Sequence, residues 1–298
     1  MELRQKIKIC SPAHFDTAKK TGTCYTTSNL KDIAQVYNNQ HSKDVIDTDK
    51  IVKKKELHRV IASKFKTQCG EDETCWLDKL YIDSNMKERL LEAFRHKKPT
   101  AWYKNIRMWL NSHDIQNVMS QYHKRYDDFV FLGVYPIDFE SKSSSGGCVT
   151  GRMCTFNLKT DVLDKGKQRF GLIVNTDPHY RGGQHWFAIY CNLNPRKNNF
   201  GIYLYDSTAT KNFVVPKEMK IFMKHVKEQV QATLPPKDAA KFVIAHNTIK
   251  SQSKNTECGI FSIVFLTQCL KNIPFQKICE KMYNDDMMVK FRDYFFRP

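Results

Sequence analysis

Ser251-Gln252-Ser253-Lys254-Asn255-Thr256-Glu257-Cys258-Gly259-Ile260-Phe261-Ser262-Ile263-Val264-Phe265-Leu266 is the stretch on which the reading of this chain turns. Polar residues lead up to Cys258, Gly259 follows, and an almost unbroken apolar run begins. The run is too short to cross a membrane and apolar on every side. It predicts a helix buried at the centre of a soluble domain, with Cys258 in its first turn. There the unbonded backbone N–H groups and the positive end of the helix dipole favour a thiolate, and the same N–H groups can hold a developing oxyanion. A cysteine so placed can also be no more than a small core residue, so its meaning depends on partners elsewhere.

A cysteine nucleophile needs a base within hydrogen-bond reach and a third group to orient that base. His185 opens His185-Trp186-Phe187-Ala188-Ile189-Tyr190, a β-branched and aromatic run that reads as a buried strand. Asp206 closes the next such run, Ile202-Tyr203-Leu204-Tyr205-Asp206. The turn-rich segment 192–199 between them suits an antiparallel hairpin, in which the start of one strand faces the end of the next. His185 and Asp206 are therefore expected to meet at one edge of a sheet. The chemistry assigns Cys258 as attacking thiolate, His185 as the base that ionises it and later protonates the leaving amine, and Asp206 as the group that holds the imidazole.

The order His185-Trp186, then Tyr205-Asp206-Ser207, then Gln252 ahead of Cys258-Gly259, resembles the ubiquitin-like-protein cysteine proteases, the group that holds the SUMO proteases and the adenovirus protease. Within it, 251–259 and the tail residues Asn284-Asp285-Asp286-Met287, Lys290-Phe291-Arg292 and Phe296-Arg297 are similar to the polyprotein proteases of African swine fever virus and other large DNA viruses. Trp109-Leu110-Asn111 with Asp114-Ile115 resembles the segment that opens the catalytic domain of SUMO proteases. The likeness covers residues 105–298 well and the first hundred only weakly. It implies a papain-like-related core and a cysteine endopeptidase that processes viral structural polyproteins after Gly-Gly-type sites, in the host cytoplasm and the virion. A SUMO or ubiquitin-like isopeptidase is the alternative. It also places Gln252 in the oxyanion hole beside the Cys258 backbone N–H; Asn255 remains a second candidate. Some relatives carry asparagine at the position of Asp206.

The chain of 298 residues has room for a catalytic domain and an accessory one. The opening residues 1–6 are charged and no long apolar segment follows, so no signal peptide is read. Ten cysteines without a secretion signal read as reduced thiols rather than a disulfide framework. No CxxC pair occurs, and the spacings Cys69 to Cys75 and Cys148 to Cys154 do not suit a zinc knuckle, so neither metal nor membrane is expected. The net charge of +17 points to an acidic partner such as nucleic acid. Its clusters are Lys53-Lys54-Lys55, Arg95-His96-Lys97-Lys98, and the helically spaced Lys217, Lys220, Lys224 and Lys227, each of which can also be a plain solvated face. The adenovirus protease, which this chain resembles, uses DNA as a cofactor; apart from that, no cofactor is expected.

Residues 1–104 carry helical patterns at 50–65 and 78–94 and are read as a helical accessory domain, with 105–298 as the catalytic domain. In the latter, 109–126 reads as an amphipathic helix, 129–134, 170–175 and 242–245 as strands, 141–147 as a flexible loop, and 217–234 as an amphipathic helix. The fold class is α+β, a mixed and mostly antiparallel sheet flanked by helices. Gly182-Gly183 ahead of His185 lets the backbone approach a substrate, which makes Gly183 and Trp186 candidate cleft residues, although Trp186 also suits the core. His179 is a rival base. A zinc hydrolase on His179, His185 and Cys191 is disfavoured by the spacing and by the lack of HExxH. A nucleic-acid-binding structural protein, with Cys258 in the core, is the reading from another class, yet the chain has no helix-turn-helix, zinc-finger or RNP pattern.

Overall fold

The structure is a computed structural model that describes residues 9–298, so the charged opening at 1–6 lies outside the described residues. The chain divides into two compact units, one of residues up to Lys98 together with 294–298, the other of 99–293. The division falls between Lys98 and Pro99 rather than between 104 and 105. The turn Thr100–Tyr103 already belongs to the second unit, where the Trp102 ring carries the Arg292 guanidinium at 4.5 Å.

The first unit is helical. Its helices are Phe15–Thr21, Thr27–Gln40, Lys54–Cys69 and Ser84–Leu91. Thr26 and Asn29 form a capping box that starts the second, each side chain accepting from the other's backbone N–H. The helical pattern at 78–94 is realised only from Ser84, because the Asp83 carboxylate accepts from Met86 N at 2.9 Å and caps the helix there. Tyr25, Phe65, Trp76 and Phe94 fill the core with stacked and edge-on rings. Glu73 is buried and accepts from Thr23 Oγ1, Cys24 N and His58 Nε2.

Two expectations from the sequence need correction. Cys10–Cys24 and Cys69–Cys75 are disulfides, as is Cys148–Cys154 in the second unit. The expectation of reduced thiols rested on a compartment argument, which carries no information on proximity. A segment holding the helix Phe15–Thr21 in the first case, and short loops in the other two, bring the paired Cα atoms to 5.1, 5.5 and 5.3 Å, within bonding range. The basic clusters are also not uniformly surface groups: Lys54 Nζ is buried without a hydrogen-bond partner, and Arg95 is buried with its Nε donating to Cys10 O.

The second unit is built on a five-stranded mixed sheet in the order β1 (Phe129–Pro136), β2 (Arg169–Asn175), β3 (Trp186–Asn192), β4 (Gly201–Tyr205) and β5 (Val243–His246). The central pairings β2–β3 and β3–β4 are antiparallel, and the outer pairings β1–β2 and β4–β5 are parallel. Helices cover both faces, which is why β2, β3 and β4 read as continuous apolar runs. Phe170, Leu172, Phe187, Ile189, Ile202 and Leu204 face the helix Lys217–Thr233 through its Met219, Phe222, Val226 and Val230. On the opposite face Tyr205 stacks on Phe265 of the helix Cys258–Leu270, with ring centroids 4.9 Å apart. A Cβ on Gly171 would meet Leu266 Cδ2 at 3.1 Å, so that helix lies close on the sheet. The helix Ser112–Arg125 starts at an Asn111/Asp114 capping box, later than the pattern at 109–126 suggested. No helix among the described residues is long and apolar enough to cross a membrane.

Candidate active site

Strand register brings His185 and Asp206 together. Ala188 pairs with Tyr205 in the β3–β4 hairpin, so the residue just before β3 and the residue just after β4 come to the same edge. His185 Nε2 lies 2.8 Å from Asp206 Oδ1. Cys258 is the imidazole's other polar neighbour. Burial lowers the His185 pKa, but the hydrogen bond and charge of Asp206, with Cys258 beside it, outweigh it and raise it to about 10. For Asp206, burial alone would raise the pKa; the bonds and charge of His185, and donors from Thr208, prevail and lower it.

Asp206 is held from several sides. Thr208 donates to Asp206 Oδ1 from both its N (2.7 Å) and its Oγ1 (2.8 Å). Asn247, buried directly after β5, accepts from Asp206 N at 2.8 Å and donates to Asp206 O at 2.7 Å. Thr208 and Asn247 were not singled out in the sequence. The dense turn Asp206-Ser207-Thr208 is the signal that could have flagged Thr208, whereas Asn247 acts from a different strand and left no local trace.

Cys258 sits in the first turn of a helix buried along its length, as the apolar run predicted, and is itself 3% exposed. Gln252 is also buried. Its Oε1 accepts from Ser207 Oγ at 2.6 Å and its N donates to Ser207 O at 2.8 Å, which leaves the side-chain NH2 as the donor. Asn255 is exposed. His179, the rival base, is exposed and engaged by Asp138 (2.6 Å) and Tyr180. Cys191 is sealed inside β3, and among the described residues no group of three His, Cys, Asp or Glu side chains could hold a metal ion.

A cleft of about 480 Å³ opens beside His185, lined by Trp109, Leu110, Asn175, Gly182, Gly183 and Trp186 among others. The Trp186 indole donates to Leu110 O at 3.0 Å, so it is fixed as a wall. Gly183 has φ +80°, and a Cβ there would lie 2.6 Å from Asn175 Nδ2, so the loop accepts only glycine. Asn175 shapes that loop by accepting from Asp177 N and Gln184 N. The lysine row is on the outer side of its helix: Lys217, Lys220 and Lys224 are exposed, Lys227 is half-buried, and Lys224 pairs with Glu228 at 3.5 Å.

A sheet-edge imidazole bonded to a carboxylate, with a helix-terminal thiol beside it and a cleft bounded by the adjacent Trp186, is the arrangement of a thiol peptidase. Residues 172–297 match the profile of the Ulp1 protease family, C-terminal catalytic domain. A protein of Acanthamoeba polyphaga mimivirus named as a thiol protease is 26% identical over 309 aligned positions, which cover 98% of this chain and 94% of that one. A cysteine protease of African swine fever virus is 29% identical over 136 positions, 46% of each chain. The crystal structure of that virus's protease superposes with a TM-score of 0.57 at 20% identity, covering 86% of this chain and 94% of the other, and so shares the fold. The matched stretch is similar to the catalytic domain of the Ulp1 protease family, and the chain is a cysteine protease acting on protein substrates.

Proposed function

We propose that this protease cleaves viral structural polyproteins after Gly-Gly-type sites, with Cys258 as nucleophile. The observation that carries the assignment is the His185 imidazole bonded to Asp206 at 2.8 Å, with Cys258 beside it at the first turn of the buried helix. The Cys258 thiolate attacks the scissile carbonyl carbon while the imidazolium stays as its counterion. The oxyanion is received by the Cys258 backbone N–H and the Gln252 amide, which is buried and tied by Ser207, unlike the exposed Asn255. His185 then gives its proton to the departing amine, and removes one from the water that hydrolyses the thioester.

The wall formed by Trp186 and Gly183 supports glycine specificity, because substrate residues without Cβ pass most easily between aromatic side chains such as Trp109 and Trp186. A second reading, SUMO or ubiquitin-like isopeptidase, is supported by the African swine fever virus relatives named SUMO-1 cysteine protease. Both readings need a Gly-Gly terminus and the same chemistry. A peptide series with Ala for each Gly, run beside a SUMO-like fusion, tests both: equal turnover of Ala-Ala and Gly-Gly peptides would sink the specificity. Cys258→Ala is expected to lower turnover by about 10⁴-fold or more, and activity at the parent level would sink the nucleophile assignment. For the exposed lysine row, the proposed partner is nucleic acid; affinity for a DNA duplex should fall log-linearly with salt, and no binding at low salt would end that idea.

A further inference from the structure

The geometry points to Arg292 as a positioning residue that fixes the nucleophile turn and one wall of the cleft relative to each other; this rests on the reading of Cys258 as nucleophile. Arg292 lies on the helix Asp285–Phe295, and its side chain is fully buried. Its Nε donates to Glu257 Oε2 at 2.9 Å and its Nη2 lies 2.8 Å from the same oxygen. Nη2 also donates to Thr256 O at 3.3 Å, and Nη1 to Met108 O at 2.8 Å. The flat guanidinium lies over the Trp102 ring.

What these partners adjoin gives the arrangement its meaning. Glu257, also fully buried, immediately precedes Cys258, and its other oxygen accepts from Thr256 Oγ1 at 3.0 Å. Met108 immediately precedes Trp109 and Leu110, both in the cleft wall, and Leu110 O receives the Trp186 indole. A Cβ on Gly259 would approach Leu110 Cδ1 to 2.9 Å, so wall and nucleophile helix are already in contact. One guanidinium therefore ties together the residues just before the nucleophile and the residue just before the cleft wall.

Burying an ion pair is a costly way to gain stability, since an apolar pair of equal volume would serve as well or better. An apolar pair cannot, however, bind two carbonyls from separate segments while matching a carboxylate. Lysine cannot either, because its donors radiate from one point instead of a planar fork.

The test uses Arg292→Lys and the double variant Glu257→Gln with Arg292→Met, which removes both buried charges together while Arg107, 3.7 Å from Glu257, keeps its ion pair with Asp286 at 2.9 Å. For each, thermal unfolding gives the folded fraction, mass spectrometry gives the rate of Cys258 alkylation by iodoacetamide, and a Gly-Gly peptide gives kcat/KM. Alkylation needs only the thiolate and is expected to stay within about three-fold of the parent, while peptide kcat/KM falls about 100-fold in the double variant, as a displacement of about 1 Å can cause. Arg292→Lys is expected to fall between the two. The proposal is overturned if both rates decline together with the folded fraction, or if a folded variant turns over peptide like the parent. Failure of every variant to fold would make Arg292 a folding determinant and end the proposal equally. Cys258→Ser is run alongside: retained turnover there would refute the nucleophile reading itself, whatever the Arg292 variants do.

Discussion

Asp206→Asn is expected to shift the alkaline limb of the pH–rate profile toward neutrality. In the parent, His185 is held protonated up to about 10, with Asp206 the first of the groups that raise its pKa. Asparagine can still accept from Thr208 and from the imidazole, so the turn keeps its shape, but the charge is gone. A hydrogen bond to a charged group contributes about 1.5–3 kcal/mol, and one pKa unit corresponds to about 1.4 kcal/mol, so the limb should move down by about one to two units. The sign of the stability effect follows from the same shift. A raised imidazole pKa stabilises the folded state fully below the unfolded value near 6.5, and that contribution disappears as pH climbs through about 10. The lowered Asp206 pKa acts in the opposite window, its contribution lost as acid protonates the carboxylate below its ordinary range. The assay is kcat/KM on a Gly-Gly peptide from about pH 5 to 11, with Cys258 alkylation followed in parallel, since the limb belongs to the coupled pair rather than to one residue. An alkaline limb unmoved in folded Asp206→Asn would refute the assignment of Asp206 as the group that holds the imidazolium.

Three further outcomes are expected. Gln252→Ala should lower kcat by about 10² to 10³ with little change in KM, the usual loss for one oxyanion donor; a normal kcat would move that role elsewhere, Asn255 first. Gly183→Ala combines positive φ with a clash on Asn175 and should cost about 1–3 kcal/mol of stability and raise KM; an unchanged Tm would show that the loop relaxes freely. Replacing Cys148 and Cys154 by Ser removes a short-loop disulfide and should cost about 2 kcal/mol in denaturant unfolding, whereas no change would mean that the cross-link does not restrain the unfolded chain.

The parts of the fold that are legible in the sequence are those governed by local pattern. The apolar run after Cys258 is buried around its whole circumference, and the β3–β4 hairpin follows from two apolar runs and a turn, so His185 and Asp206 pair on spacing alone. What escapes local pattern acts at a distance. Asn247 reaches Asp206 from just after β5 and Arg292 reaches Glu257 from the last helix; the first leaves no local trace, and the second shows only in the resemblance of the tail, which does not reveal its partner. The parallel pairings at both sheet edges depend on crossovers, which periodicity does not report. The disulfides were missed because a compartment argument stood in for distance.

The segment ahead of Cys258 depends on a part of the chain made late. Ser253 N and Lys254 N donate to the Asp285 carboxylate at 2.8 and 3.2 Å, and Lys254 Nζ reaches Asp286 at 3.0 Å. Ser207 and the sheet hold one side of the cysteine turn, but the 253–254 side is anchored only when the residues after 284 are in place. A chain that ended before 284 would therefore keep its base and lose one side of the nucleophile's mooring.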